Sequence, residues 1–132
     1  MKITPDTNVL VRALARDDEQ QYLAAADTLQ SATMIVLTVP ALCELAWVLS
    51  YRYRFQRPDI AEAIRVLAAG DNVVVEAGTL AAGLGMLEAG GDFADAVIAH
   101  QGREAGADTF VSFDKTAVAL LTTAGESARL LG

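Results

Sequence analysis

Short, uniformly apolar runs alternate along the chain with longer segments that carry helix-start and helix-stop residues. The short runs predict buried strands at residues 2–5, 34–37, 73–75 and 109–112. The longer segments predict helices over residues 7–15, 19–31, 40–55, 59–69, 79–88, 92–104 and 115–123. Pro40 and Pro58 suit first helical turns, and Gly106 suits a helix stop. Residues 125–132 carry no informative pattern.

Uniformly apolar strands that alternate with helices are typical of a parallel sheet covered on both faces. The predicted fold class is therefore α/β, a three-layer α/β/α sandwich with a central, mainly parallel sheet. The length of 132 residues predicts a single domain over residues 1–132. Ligands of such sheets gather at the carboxyl ends of the strands, and both Asp6 and Asp114 follow a predicted strand.

Composition narrows the class of protein. With 53% hydrophobic and 20% charged residues, the chain predicts a folded globule rather than a disordered segment. The single cysteine, Cys43, excludes an internal disulfide and a cysteine-based zinc cage, and it favours a reduced, cytoplasmic setting. We expect no secretion signal and no membrane span, because the apolar runs are short or contain polar residues. The net charge of −7 argues against a passive nucleic-acid binder, although catalytic carboxylates would add to such a charge in a nuclease.

Aspartates stand at the junctions where predicted helices begin. Asp6, Asp92 and Asp114 each occupy a position that favours an N-cap, and Asp95 would lie in the first turn, near the positive end of the helix dipole. Helix capping alone can explain each of them. If the acids converge, however, their repulsion costs stability unless a cation or a proton intervenes. The joint pattern therefore favours a divalent-metal site.

Glu44 stands in the body of a predicted helix, between residues that we expect to be buried. A buried carboxylate needs a partner. The alternatives are an arginine, such as Arg12 or Arg103, and a metal ion shared with the aspartates. Oxygen ligands without a cysteine or histidine cluster favour Mg²⁺ or Mn²⁺ over zinc.

The acids belong to four short motifs. The motifs are Asp6-Thr7-Asn8-Val9-Leu10, Leu42-Cys43-Glu44-Leu45, Asp92-Phe93-Ala94-Asp95-Ala96-Val97-Ile98-Ala99 and Val111-Ser112-Phe113-Asp114. In this order and spacing they resemble PIN-domain ribonucleases, most closely the VapC toxins of bacterial toxin–antitoxin pairs. The likeness runs from Met1 to about Leu121.

The resemblance implies roles for individual residues. Asp6, Glu44, Asp95 and Asp114 match the acidic quartet that binds the catalytic metal, Mg²⁺ or Mn²⁺. Asp92 matches an additional acid that many members carry.

Two polar residues complete the implied site. Asn8 and Ser112 match positions that hold the acids or a metal-bound water in place. The implied activity is that of an endoribonuclease, which hydrolyses RNA and leaves a 5′-phosphate and a 3′-hydroxyl. Its implied substrate is structured RNA of the translation machinery. The implied protein partners are a cognate antitoxin and a second copy in a homodimer.

A cluster of aromatic and basic residues follows Glu44. It consists of Trp47, Tyr51, Arg52, Tyr53, Arg54, Phe55 and Arg57. Such residues can stack on bases and bind phosphates, but they are also enriched at protein interfaces. We expect a subunit or antitoxin interface rather than an RNA contact. His100 is expected to be structural rather than catalytic.

Two other functions stay open. A phosphoryl-transfer protein, phosphatase or receiver-like, would use Asp6 as an aspartyl nucleophile, with Lys115 beside Asp114; Asn8 stands where the phosphatase pattern has a second aspartate. A trapped aspartyl-phosphate or fluoroberyllate adduct would identify it. In a non-catalytic interaction module, the acids would be caps and surface charge. Asp95→Asn would then change no activity, and Mg²⁺ would not stabilise the fold.

Overall fold

The computed structural model describes residues 1–132 and divides into two compact units. The first unit comprises Met1–Glu76 and the second comprises Ala77–Gly132. None of the helices is both long enough and apolar enough to span a membrane.

The first unit contains a three-stranded parallel sheet and four helices. In chain order, its elements are β1 (Lys2–Ile3), α1 (Thr7–Ala15), α2 (Glu19–Ser31), β2 (Met34–Val36), α3 (Val39–Tyr51), α4 (Arg57–Ala68) and β3 (Val73–Val74). The strand order is β1-β2-β3, with Ile35 of β2 opposite both Ile3 and Val73. Helix α3 packs against α1 and α4, and α1 also packs against α2.

The helices of the first unit begin where the sequence supplies capping residues. The side chains of Asp6, Asp18 and Thr38 accept bonds from amides of the first turns of α1, α2 and α3. Pro40 and Pro58 lie in the first turns of α3 and α4, where a missing amide hydrogen has no cost. The interior is aliphatic, and its fully buried side chains are Leu10, Leu42, Leu45, Leu49, Ile60 and Ile64.

The second unit contains three helices and a parallel pair of strands. Its elements are α5 (Ala77–Ala89), α6 (Phe93–Glu104), β4 (Phe110–Ser112), α7 (Lys115–Thr123) and β5 (Ala128–Leu130). Met86, Ala96, Ala99 and Leu121 form its core. Helices α5 and α6 pack closely at Gly83 of α5, where there is no side chain to separate them. Any side chain at this position would collide with the buried ring of Phe93 in α6.

The predicted α/β class with parallel strands is confirmed, and the helices over 7–15, 19–31 and 115–123 match their predicted bounds. Helix α3 ends at Tyr51 rather than near residue 55, because the chain turns at Arg54, whose φ of 57° is left-handed. Strand β5 is an element that the sequence pattern did not predict. Only its pairing with β4 defines it, since Arg129 and Leu130 are exposed.

Candidate active site

Asp6 lies three residues beyond strand β1 and caps helix α1. Its Oδ1 accepts a hydrogen bond of 3.1 Å from the amide of Val9. The side chain is exposed, and this capping bond engages only one of its two carboxylate oxygens. Capping and metal binding are therefore compatible at this residue, and the predicted cap is confirmed.

Glu44 is exposed, so the expectation that it is buried was wrong. Helix α3 buries a stripe on one side only, formed by Ala41, Leu42, Leu45, Ala46 and Leu49. Glu44 lies on the other side, where the hydroxyl of the buried Thr7 donates a hydrogen bond to its Oε1. The carboxylate needs no arginine to offset burial, and its orientation comes from a hydroxyl on α1.

The two arginines expected as possible partners of Glu44 pair with other acids. Arg12 forms an ion pair of 2.8 Å with Asp17, and Arg103 forms one with Glu126. His100 lies 3.9 Å from Glu104, one turn further along α6, which agrees with a structural role.

Asp6 and Glu44 line one open cavity of about 370 Å³ in the first unit. The residues that line it are Asp6, Thr7, Asn8, Glu44, Trp47, Val48 and Arg52. Asn8 is exposed, as a residue that contacts a ligand must be. The cavity thus combines two carboxylates, an amide, a guanidinium and an aromatic ring.

The second unit carries the other predicted acids. Asp92 caps α6 through a bond of 3.3 Å from the amide of Ala94 to its Oδ1. Asp114 caps α7, and its Oδ1 accepts bonds of 2.9 and 3.2 Å from the amides of Thr116 and Ala117. Both predicted caps are confirmed.

Ser112, the last residue of β4, accepts a hydrogen bond of 2.9 Å at its Oγ from the amide of Asp114. This bond fixes the backbone between β4 and α7. Ser112 therefore positions Asp114 through the main chain rather than through the carboxylate.

Asp95 lies in the first turn of α6 and is partly buried. Burial, followed by repulsion from Asp92 and Asp114, raises the pKa of Asp95 above its ordinary value. Asp92 and Asp114 are thus close enough to disfavour the charge on Asp95. A bound cation would reverse this effect, since it favours the ionised form of each acid.

The donor chemistry fits a hard divalent cation, because every predicted ligand is a carboxylate. No group of three or more His, Cys, Asp or Glu side chains in the structure has the spacing to hold a metal ion. Asp6 and Glu44 share a cavity in the first unit, and Asp92, Asp95 and Asp114 interact in the second. The four-acid quartet stays a prediction.

Thr7 is the site residue that sequence reasoning missed. It stands between Asp6 and Asn8 in the first motif, yet it was assigned no role. The available signal is a polar residue at the first position of a helix that is otherwise apolar on its inner side. Its burial and its bond to Glu44 depend on the packing of α1 against α3.

The amino-acid sequence matches the PIN domain family over residues 3–120. PIN domains are generally nucleases that use divalent metal ions. No curated protein matches the chain. The matched segment includes all the predicted site residues, which are Asp6, Asn8, Glu44, Asp92, Asp95, Ser112 and Asp114.

Proposed function

The chain belongs to the PIN domain family, and from this membership we propose that it is a Mg²⁺- or Mn²⁺-dependent endoribonuclease of the VapC type. It would form one nuclease domain over residues 1–132 and act as the toxin of a toxin–antitoxin pair. The family supplies the reaction class, hydrolysis of a phosphodiester. The choice of RNA and of the toxin role comes from the motif resemblance.

The single observation that best supports the proposal is the electrostatic state of Asp95. Burial, followed by repulsion from the carboxylates of Asp92 and Asp114, raises the pKa of its partly buried carboxyl. Gathering like charges in this way opposes the ionisation of Asp95 and so has a cost in stability. A divalent cation bound beside Asp95 would remove that cost.

We assign metal binding to Asp6, Glu44, Asp95 and Asp114. A divalent ion bound there would lower the pKa of a bound water and neutralise charge on the phosphoryl oxygens.

The remaining residues position these ligands and the substrate. Thr7 orients the carboxylate of Glu44 by hydrogen bonding to Oε1. Ser112 holds the main chain at Asp114, and Asp92 fixes the start of α6. Asn8 lines the cavity beside Asp6, where its amide can donate to a phosphate oxygen or a water.

An unregulated ribonuclease would damage the RNA of its own cell, so the proposal includes a cognate antitoxin that covers the cavity containing Asp6 and Glu44. The toxin would act in the cytoplasm as a homodimer. Its net charge of −7 means that any basic surface for RNA must be local.

The test is sequencing of RNA ends after expression of the wild-type chain beside the Asp6→Asn variant. Asparagine also caps helices, so the variant should fold normally while losing a metal ligand. We expect new 5′-phosphate ends at one site or a few sites with the wild type and none with the variant. Asp59→Asn, which alters an exposed acid in α4, is the matched control and should cleave like the wild type.

The proposal fails if purified wild-type protein, freed from any partner, cleaves no RNA with Mg²⁺ or Mn²⁺. A fluoroberyllate or phosphate adduct on Asp6 would then favour the phosphoryl-transfer alternative. The absence of both activities would favour an interaction module.

A further inference from the structure

Helix α3 presents an outer face whose residues follow one another at helical spacing. The face begins at Glu44 and continues three, four, seven and eight positions later with Trp47, Val48, Tyr51 and Arg52. The face opposite the buried stripe of α3 would normally be polar. Here it carries two large aromatic side chains, Trp47, which is 52% exposed, and Tyr51, which is 67% exposed.

The two rings support each other while remaining accessible. Their centroids are 5.2 Å apart, with the planes tilted by 35°. Contact between neighbouring rings restricts their rotation, so a ligand that stacks on them loses little side-chain entropy. An exposed, partly rigid aromatic pair is a surface suited to a flat ligand.

The aromatic pair is continuous with the cavity of the candidate active site. Trp47 and Arg52 line the same cavity as Asp6 and Glu44. A protein interface would have to desolvate the carboxylates of Asp6 and Glu44, whereas protein interfaces are depleted of Asp and Glu. A nucleotide places an apolar ring and an anionic phosphate side by side, which matches an aromatic pair beside a guanidinium.

We propose that Trp47 and Tyr51 stack on an unpaired base of single-stranded RNA while Arg52 binds an adjacent phosphate. This inference rests on the proposed ribonuclease function and adds a base-binding subsite to it. It replaces the interface role that the sequence favoured for these three residues. The subsite positions the strand, so it should affect substrate binding rather than the chemical step.

Trp47 is the only tryptophan in the chain, so intrinsic fluorescence reports directly on the subsite. The titration adds a short single-stranded RNA to the Asp6→Asn variant in the presence of Mg²⁺. This variant is used because it should bind the RNA without cleaving it. We expect saturable quenching of Trp47. An oligonucleotide of the same length whose sugars carry no bases keeps the phosphates, and it should not quench the fluorescence of Trp47.

Steady-state cleavage by the otherwise wild-type chain gives the second measurement. Trp47→Ala should raise KM by about 5- to 150-fold, the range that base stacking supplies, with kcat nearly unchanged. Trp47→Phe keeps an aromatic face and should restore most of the binding. Tyr22→Ala is the matched control, because it also removes a ring that contacts an arginine, Arg16 at 4.1 Å, outside this cavity.

Three outcomes overturn the subsite. They are equal quenching by intact and abasic strands, an unchanged KM in Trp47→Ala, and dissociation of a homodimer by Trp47→Ala without any effect of RNA on fluorescence. The last outcome would assign the face to a protein interface.

The two proposals fail separately. A wild-type chain that cleaves RNA but shows none of the stacking effects refutes the subsite alone. Base-dependent quenching without cleavage by the wild type refutes the nuclease and keeps the subsite. Thermal unfolding of Trp47→Ala should match the wild type, since the side chain is half exposed.

Discussion

The acids of the first unit and those of the second have different surroundings. Glu44 in the first unit receives a hydrogen bond from Thr7, and its cavity also contains Arg52. The pKa of Asp95 in the second unit is raised by burial and then by two neighbouring carboxylates. One setting stabilises a carboxylate in a chosen orientation, and the other opposes its ionisation.

This difference separates two requirements of a metal-dependent nuclease. Orientation of a ligand can be provided by neighbouring side chains before any metal arrives. Accumulated negative charge cannot be relieved in the same way, and it makes the second unit the part that gains most from a cation. The following changes test that distinction, from the largest expected effect to the smallest.

Replacing Asp95 with Asn should cause the largest loss. Removal of a metal ligand should reduce RNA cleavage by about 100-fold or more. The physical reason is that the amide carries no charge to hold the ion. Cleavage by purified variants at saturating Mg²⁺ measures the effect, with Asp59→Asn as the control, and near-wild-type activity of Asp95→Asn would remove Asp95 from the site.

Addition of Mg²⁺ or Mn²⁺ to the metal-free protein should raise its Tm. A ligand at 100 times its Kd stabilises the folded state by about 2.7 kcal/mol. We expect Asp95→Asn to lose most of this gain. Calorimetry in EDTA and then in excess metal gives the comparison, and an equal rise in both proteins would mean that the metal binds elsewhere.

Replacing Thr7 with Val should weaken the first unit without changing its charge. The loss of the bond to Glu44 should cost about 0.5–1.5 kcal/mol of unfolding free energy. Urea denaturation measures it, and cleavage should fall several-fold because Glu44 is no longer oriented. Thr7→Ser retains the hydroxyl and should recover the activity, whereas equal defects in both variants would attribute the effect to packing alone.

The pH dependence of metal-free stability should give the smallest effect. Because the folded-state pKa of Asp95 is raised, its contribution to stability is fully present below the ordinary aspartate pKa and is lost as pH rises through the raised value. In EDTA, Asp95→Asn should therefore gain Tm relative to the wild type as pH increases from acid to neutral. A constant difference across this range would show that Asp95 ionises like an exposed acid.

Much of the fold followed from local signals in the sequence. Capping aspartates and early prolines located most helix starts, because these residues satisfy or remove exposed amides within one turn. The end of α3 was predicted wrongly, and strand β5 was not predicted. The first depends on the left-handed backbone of Arg54, and the second exists only through its pairing with β4.

The candidate site also divides into features that the sequence predicted and features that only the tertiary structure decided. The four motifs determined which acids matter and led to the correct family, since the order of residue types is a property of the chain itself. The exposure of Glu44, its bond to Thr7 and the raised pKa of Asp95 were decided only by tertiary structure. The exposure of a side chain and the distance between two charges depend on how the helices pack. For residues far apart in the sequence, both are set only when the chain has folded.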